Sequence, residues 1–341
     1  MTRRSNLAPL LVAGVLLVGA AVAGRFAMAL IAHRYLSAAL DLIQQHALKR
    51  DSVDWAAVRA QAHDRAVDAL TRAQTYDAIR FALGSLGDHH SGFLEPAAVA
   101  TLSQAAAGSP LPEGGILPSN IGLILVKSFV AVEQQAIDRH ATQLQELIRS
   151  LDAAGPCGWI LDLRQNGGGN MWPMLAGVGP ILGIGKVGAF VDRDGAESPW
   201  FYSDGRTQED VRTRARVIGA PYQTREGAPP VAVLLGPATA SSGEAVAVAF
   251  RQRPNTRAFG QRTRGLSTSN ELFRLSDGAA INLSVSIFAD RMGRPYPDGV
   301  EPDQPTPSTP LDVIPPAATA WLAGQPACRL NQAGVVQAFR E

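Results

Sequence analysis

The sequence predicts an α/β protein of the α+β kind, with a small N-terminal helical domain ahead of a larger domain of strands and helices. Three observations predict it. A hydrophobic fraction of 46% and 33 glycines suit a packed body of this class. The first part of the chain carries helical periodicity. Beyond a break rich in proline and glycine, short buried apolar runs take over and read as strands. At 341 residues the chain has room for one or two domains. It shows no internal repeat. Its formal net charge is +1, with no block of like charge. A nucleic-acid partner is therefore not expected, and the scattered arginines read as a solvated surface.

The elements follow in order. Residues 1–6, "MTRRSN", are short and basic. "LAPLLVAGVLLVGAAVAG" (residues 7–24) then runs without charge until Arg25. A secretory signal has an apolar core of roughly 7–15 residues, and a membrane span needs about 20. The stretch lies between the two. Its length favours an uncleaved anchor, whereas Ala21 and Ala23 resemble a cleavage site. Arg3 and Arg4 are expected to stay in the cytoplasm. The remaining chain is then exported to the periplasm or the cell exterior, as a membrane-anchored protein or a released one.

Residues 32–107 form the expected helical domain. "YLSAALDLIQQHALKR" places Leu36, Leu40 and Ile43 on one face. "DSVDWAAVRAQAHDRAVDAL" follows, with Asp51 or Ser52 as N-cap. "TYDAIRFALGSLG" is a third helix, ended by Gly84 and Gly87. Residues 108–120 read as a linker. The core domain is expected over 121–310. It opens with a strand in Ile121–Phe129, then an amphipathic helix with Ile137, Leu144, Leu147 and Ile148 inward. "GWILDL" and "VAVLLG" are buried strands. Phe273–Ala289 reads as a hairpin around "SDG", with Ile281, Leu283, Val285 and Ile287 alternating against polar neighbours. "RPYPDGVEPDQPTP" is an exit loop, and 311–341 a wrapping tail.

The chemistry centres on "GPATASSGEA", where a strand runs into two serines and a helix leaves from them. A serine there can act as a nucleophile beside helix N–H groups that favour negative charge. It can equally be a helix N-cap, with Ser241 or Ser242 bonding the first N–H groups. "LDLRQNGGGN" allows another backbone to approach closely. Its glycines can supply an oxyanion N–H, an anion-binding nest or a plain turn. Neither a dinucleotide fingerprint nor a Walker loop is present, and no cofactor is expected. No metal is expected either. The two cysteines, Cys157 and Cys328, have no ligand spacing. Export permits a disulfide between them, and buried free thiols are the alternative.

A serine nucleophile needs a base. The only lysines are Lys49, Lys127 and Lys186, none downstream of Ser241. His46, His63 and His140 lie among polar or charged helical residues and read as surface histidines. His89 and His90 sit in "LGDHHSGFLEP", between glycines, where the helical part ends.

Together, "DWAAVRAQA", "LGDHHSGF", "ILDLRQNGGGN", "TASSGEAVAVAF", "AFGQRTRGLSTSNELFRLSDGAAINLS" and "DRMGRPYPDGVEPD" resemble the C-terminal processing (tail-specific) serine protease family, in the family's order. The resemblance spans roughly Val53 to Pro307. It implies a helical N-terminal domain, a crotonase-like ββα catalytic domain and serine peptidase activity on a peptide or protein substrate. The sequence departs from the best-known branch twice. Residues 93–122 are too short for a PDZ domain. Leu266 stands 25 residues after Ser241, where that branch carries its lysine base. The resemblance is closer to the histidine-base branch of the tricorn core and the nisin resistance protein.

Carried over residue by residue, that branch implies Ser241 as nucleophile, three positions before Glu244, and His90 as general base with His89 as fallback. It implies the backbone N–H groups of Ser242 and Gly168 as the oxyanion donors. Asp88, Ser91, Asp298 and Glu301 are candidates to orient His90. Two rival functions share the fold: a non-catalytic relative that holds a peptide or apolar ligand, and a crotonase-type acyl-CoA enzyme.

Overall fold

The computed structural model describes residues 8–104 and 110–329. Residues 1–7, residues 105–109 at the junction of the expected helical domain and linker, and the end of the expected tail (330–341) lie outside the described residues. The chain divides into two compact units, residues 1–99 with 270–285, and residues 100–269 with 286–341.

In the smaller unit, α1 (Ala8–His46) is one helix of 39 residues. It runs through Gly24 and Arg25 without a break, so the apolar stretch and the first helix of the helical domain are one element. Its portion from Ala20 is long and apolar enough to cross a membrane. Val22, Phe26 and Ile31 are exposed, and between Ala20 and His46 the helix buries a face only from Ala32 onward. The sequence places the end of the apolar segment at Gly24, but the exposed apolar surface continues to Ile31.

Helix α2 (Trp55–Arg65) is capped by Asp54, whose carboxylate accepts the Ala57 N–H at 3.1 Å. The expected caps, Asp51 and Ser52, lie instead in a preceding 3₁₀ turn. Helix α3 (Tyr76–Gly84), strand β1 (Gly92–Leu94) and α4 (Pro96–Gln104) follow. Leu36, Leu40 and Ile43 of α1 pack with Val58 of α2 and Ile79 of α3. Ile281 and Leu283, from far down the chain, complete this core. Asp277 explains why that distant segment belongs here. It accepts the hydroxyls of Tyr35 (2.9 Å) and Tyr76 (2.7 Å) and the Ala279 N–H (3.1 Å), which ties the hairpin tip to α1 and α3.

The larger unit contains β2 (Glu113–Leu117), β3 (Ile121–Leu125), α5 (Gln134–Asp152), β4 (Gly158–Asp162), α6 (Met171–Gly177) and α7 (Gly179–Leu182). Strands β5 (Gly185–Asp192), β6 (Glu197–Ser203), β7 (Arg206–Glu209), β8 (Arg212–Arg216) and β9 (Val231–Leu235) come next. Helix α8 (Ser242–Ala249), β10 (Thr256–Gly260), β13 (Gln304–Pro305) and α9 (Pro316–Ala323) complete it, while most of β11 (Thr268–Arg274) and the first part of β12 (Ala280–Ala289) belong to the smaller unit through residues 270–285. Residues 113–117, expected inside a linker, form an edge strand antiparallel to β3. Among the described residues no further domain stands between Leu94 and Ile121.

One sheet has the order β13-β10-β9-β4-β3-β2, parallel except for β2. Strands β4 and β9 are buried at every position, as expected of a parallel sheet covered on both faces. Side chains alternate between two cores. Trp159, Leu161, Val231 and Val233 pack with Ile137, Leu144 and Ile148 of α5 and Val246 of α8. Ile160, Ala232 and Leu234 pack with Ala318 and Leu322 of α9. Cys157 and Cys328 form a disulfide that pins the segment after α9 to the start of β4.

The second half of β12 pairs antiparallel with β5, which continues through β6, β7 and β8. The hairpin of β11 and β12 forms as expected. Its alternation changes phase, however. Ile281 and Leu283 are buried, but Val285 and Ile287 are only half-buried, and Ser286 and Phe288 are buried in their place. The strand leaves one core and enters another at that point, so the period-two pattern restarts out of register.

Candidate active site

Strand β9 ends at Leu235, and α8 begins at Ser242. Ser241, at the junction, has φ 51° and ψ −122°. A non-glycine residue in this region costs roughly 1–3 kcal/mol and persists only where the surroundings enforce it. Glu244 does so. It is fully buried and takes four hydrogen bonds. One oxygen accepts the N–H of Ser241 (2.9 Å) and of Leu266 (2.8 Å). The other accepts the N–H of Gly265 (2.8 Å) and the hydroxyl of Thr263 (2.5 Å). One carboxylate thus fixes the serine's peptide plane and the loop 263–266 at the same time. Ser242 does not cap the helix: its hydroxyl donates to the Gly169 carbonyl at 2.6 Å.

The glycine loop follows β4. Gly168 has φ +113°, and a Cβ added there would lie 2.8 Å from Ser241 Cβ and 3.2 Å from its Oγ. This close approach is why the position needs glycine. Asn166, fully buried, organises the loop. Its carbonyl accepts the Ala240 N–H at 2.9 Å. Its Oδ1 accepts the Gly168 N–H at 3.0 Å. Gly167 N–H donates to Ser128 Oγ at 2.9 Å. The Gly168 N–H, expected to face an oxyanion, therefore already has a partner in this structure. Arg164 pairs with Asp162 (2.6 Å) and donates to the carbonyls of Pro310, Leu311 and Val313, which straps the C-terminal segment onto the same loop.

His90 lies in the smaller unit, in the loop between α3 and β1. Asp88 accepts the N–H groups of His90 (3.2 Å) and Ser91 (2.6 Å) and the Ser91 hydroxyl (2.8 Å). Asn270 and Asn282 donate to the His90 carbonyl at 2.8 and 3.2 Å. The loop's backbone is fixed from both sides. Burial pushes the His90 imidazole below its ordinary value, opposed by the Asp88 charge. His89 is exposed. Of the four residues expected to orient His90, Asp88 holds its backbone N–H, and Ser91 bonds Asp88 and accepts the Ser284 N–H at 3.0 Å. In the larger unit, Glu301 is paired with Arg262 at 3.2 Å, and Asp298 is exposed.

The structure thus gathers Ser241, Ser242, Glu244 and Gly168 within one unit, and His90, Asp88 and Ser91 within the other. Sequence reasoning missed Asn166 and Thr263. The available signal for Asn166 was a polar residue directly between a buried strand and a glycine run.

Of the other histidines, two depart from the expected surface position, His140 fully and His63 by being half-buried. His140 is buried, not a surface residue, because it stands three positions after Ile137 and four before Leu144, on the inward face of α5. Its ring packs on Phe129 at 4.2 Å, and burial pushes it down to about 4. His63 lies against His33, with Nδ1 atoms 3.3 Å apart. His46 is exposed as expected. All three lysines have partners: Lys127 pairs with Glu113 (2.6 Å), Lys186 with Glu197 (2.7 Å), and Lys49 donates to the Gly87 carbonyl (3.4 Å).

Known proteins resemble this chain in sequence and fold over most of its length. The nisin-resistance protein of Lactococcus lactis subsp. lactis is 25% identical over 263 residues, 77% of this chain and 79% of that one. The carboxy-terminal processing protease CtpA of Bacillus subtilis (strain 168) is 27% identical over 168 residues, 49% of this chain but only 31% of its own. Among solved structures, a lipoprotein from Streptococcus agalactiae superposes with a TM-score of 0.70 at 28% identity, covering 85% of this chain and 96% of that one. The photosystem II D1 C-terminal processing protease shares the fold, with a TM-score of 0.57 at 18% identity over 86% of this chain and 97% of that one. Fold, site and relatives define a class, the serine peptidases. More narrowly, the chain belongs to peptidase family S41, whose model matches residues 120–306, more than half of its length.

Proposed function

We propose that the chain is an exported, membrane-anchored endopeptidase or carboxyl-terminal processing peptidase that cleaves peptides or proteins through Ser241, with His90 as general base. The observation that carries this reading is Ser241 itself, held in a strained backbone conformation at a strand-to-helix junction and packed against Gly168. Strain of this kind is retained where it presents a reacting group.

Neutral His90 takes the Ser241 proton as the hydroxyl attacks a peptide carbonyl, and returns it to the leaving amine. Burial, which lowers its pKa, keeps the imidazole neutral and ready to accept at neutral pH. A lysine base has no support, since each lysine has another partner and Leu266 occupies the position 25 residues after Ser241. The tetrahedral oxyanion rests on the Ser242 N–H at the first turn of α8 and on the Gly168 N–H. In the resting chain the latter donates to the neutral Asn166 Oδ1. An oxyanion is the stronger acceptor and draws that N–H as charge develops. The apolar N-terminal part of α1, ahead of the portion from Ala32 that packs in the smaller unit, serves as the anchor, consistent with the likeness to a lipoprotein and to a nisin-resistance protein, which also supports an exported peptide as substrate.

The test is labelling of the full chain, in detergent, with a fluorophosphonate probe. Wild type and Ser242→Ala should label and Ser241→Ala should not. Absence of labelling in the wild type would favour the non-catalytic, ligand-holding relative instead.

A further inference from the structure

After α8 the chain turns through Arg251–Pro254 and enters β10. Between this turn, β10 and Trp321 of α9 lies a half-open cavity of about 510 Å³. Its lining includes Arg251, Arg253, Arg257 and Asp303, three cations against one carboxylate. That carboxylate is engaged at both oxygens. One oxygen pairs with Arg251 at 2.8 Å and the other accepts the Ala258 N–H at 2.7 Å.

Arg253 is 6% exposed, and every partner it has is neutral. Its guanidinium donates to the carbonyls of Leu182 (3.1 Å), Pro229 (3.0 Å) and Pro254 (2.8 Å) and to Thr256 Oγ1 (2.9 Å). Four of its five N–H groups are thereby spent on dipoles, and none on a charge. Burial and the nearby Arg291 cation push it down to about 10, a sign that its positive charge is poorly compensated. Arg257 lies over the Phe259 ring at 5.8 Å and makes no ion pair among the described residues. Buried cations are ordinarily paired. A cavity lined by three cations and a single carboxylate, itself paired with Arg251, carries an excess of positive charge and has the electrostatic character of an anion site.

We propose that this cleft binds an oxoanion, a carboxylate or phosphate, with Arg257 as the contacting cation and Arg253 as a fixed source of positive potential behind it. Arg257 has donors to give because its head is uncommitted, and its planar fork suits bidentate contact with either anion. The oxoanion can reach the cleft as a free phosphate ion or as the side chain of an acidic peptide. The cleft adjoins the end of α8 opposite Ser241. Eight residues of helix separate the two ends, roughly 12 Å at 1.5 Å per residue. It is therefore distinct from the serine site, and its occupancy does not depend on that site's chemistry.

The experiment is calorimetric titration of the full chain in detergent at fixed ionic strength, with inorganic phosphate in one arm and a glutamate-rich peptide in the other. A glutamine-substituted peptide serves as control. At least one arm should show saturable binding, weakened ten-fold or more in Arg257→Gln and partly restored in Arg257→Lys. The melting temperature of Arg257→Gln without ligand should match the wild type, because Arg257 holds no ion pair. Saturation by phosphate identifies the free ion as the source, and saturation by the glutamate peptide alone identifies an acidic segment. No saturable binding in either arm, or binding unchanged within two-fold in Arg257→Gln, overturns the proposal.

Discussion

Replacing Glu244 with glutamine changes one oxygen into an NH₂ group and keeps the shape, so its cost follows from counting donors. Each carboxylate oxygen accepts two hydrogen bonds, Ser241 and Leu266 N–H on one side, Gly265 N–H and Thr263 hydroxyl on the other. The amide oxygen can serve only one pair. The less costly orientation keeps it on Ser241 and Leu266, since both are obligate donors. The NH₂ group then meets Thr263, whose hydroxyl can turn to accept although it already accepts the Val300 N–H at 2.8 Å. Gly265 N–H is left facing another donor. An orphaned buried N–H costs about 1–3 kcal/mol, and the surviving bonds lose their charge assistance at about 1 kcal/mol each. The expected loss is about 3–5 kcal/mol. Urea unfolding of the full chain in detergent, followed by the fluorescence of the buried tryptophans, measures it. Peptidase turnover should fall as well, because loop 263–266 and the Ser241 peptide plane are fixed by the same group. A loss below about 1 kcal/mol with full turnover would refute this reasoning.

Two further outcomes follow from the same geometry. Gly168→Ala places a methyl 2.8 Å from Ser241 Cβ at a φ that side chains rarely adopt, so turnover should fall by about 10²–10³, the usual cost of losing one oxyanion donor; steady-state assay against a titrated active-site concentration checks it. His140 is held at about 4, below its free value of 6.5, so its neutral form is the folded one. Its contribution is complete above pH 6.5 and is lost as pH falls toward 4, by about 2 kcal/mol at pH 5. Between pH 7.5 and 5 the wild type should lose about 2 kcal/mol more stability than His140→Phe, as unfolding curves at the two pH values measure.

The two-part plan and the strands β4 and β9 were legible in the sequence because continuous apolar runs bounded by glycine leave a chain few alternatives. The strand-to-helix serine was legible for a different reason, its setting among small residues after such a run. The boundary of the smaller unit was not. Residues 270–285 join it through Asp277 and two tyrosine hydroxyls, contacts of sequence separation above 200 that no local pattern encodes. His140 was misjudged because its charged neighbours in sequence point outward while its own position shares a face with Ile137 and Leu144. The commitment of Gly168 N–H to Asn166 depends on a side-chain rotamer, which periodicity does not report. The phase change in β12 reflects a strand that serves two cores in turn.

The central claim is that a neutral histidine, His90, activates Ser241. It is tested most directly by the pH dependence of kcat/KM for wild type and His90→Ala on one peptide substrate, with melting temperature recorded for both. A base must be deprotonated to act, so wild-type activity should be full at neutral pH and fall on the acid side as His90 takes a proton, with a midpoint below the ordinary 6.5 because burial lowers it. His90→Ala should lose this acid limb and about 10²–10⁴ in rate at pH 7.5, with its melting temperature little changed. An unchanged rate in His90→Ala, or the same acid limb in both proteins, would contradict the account.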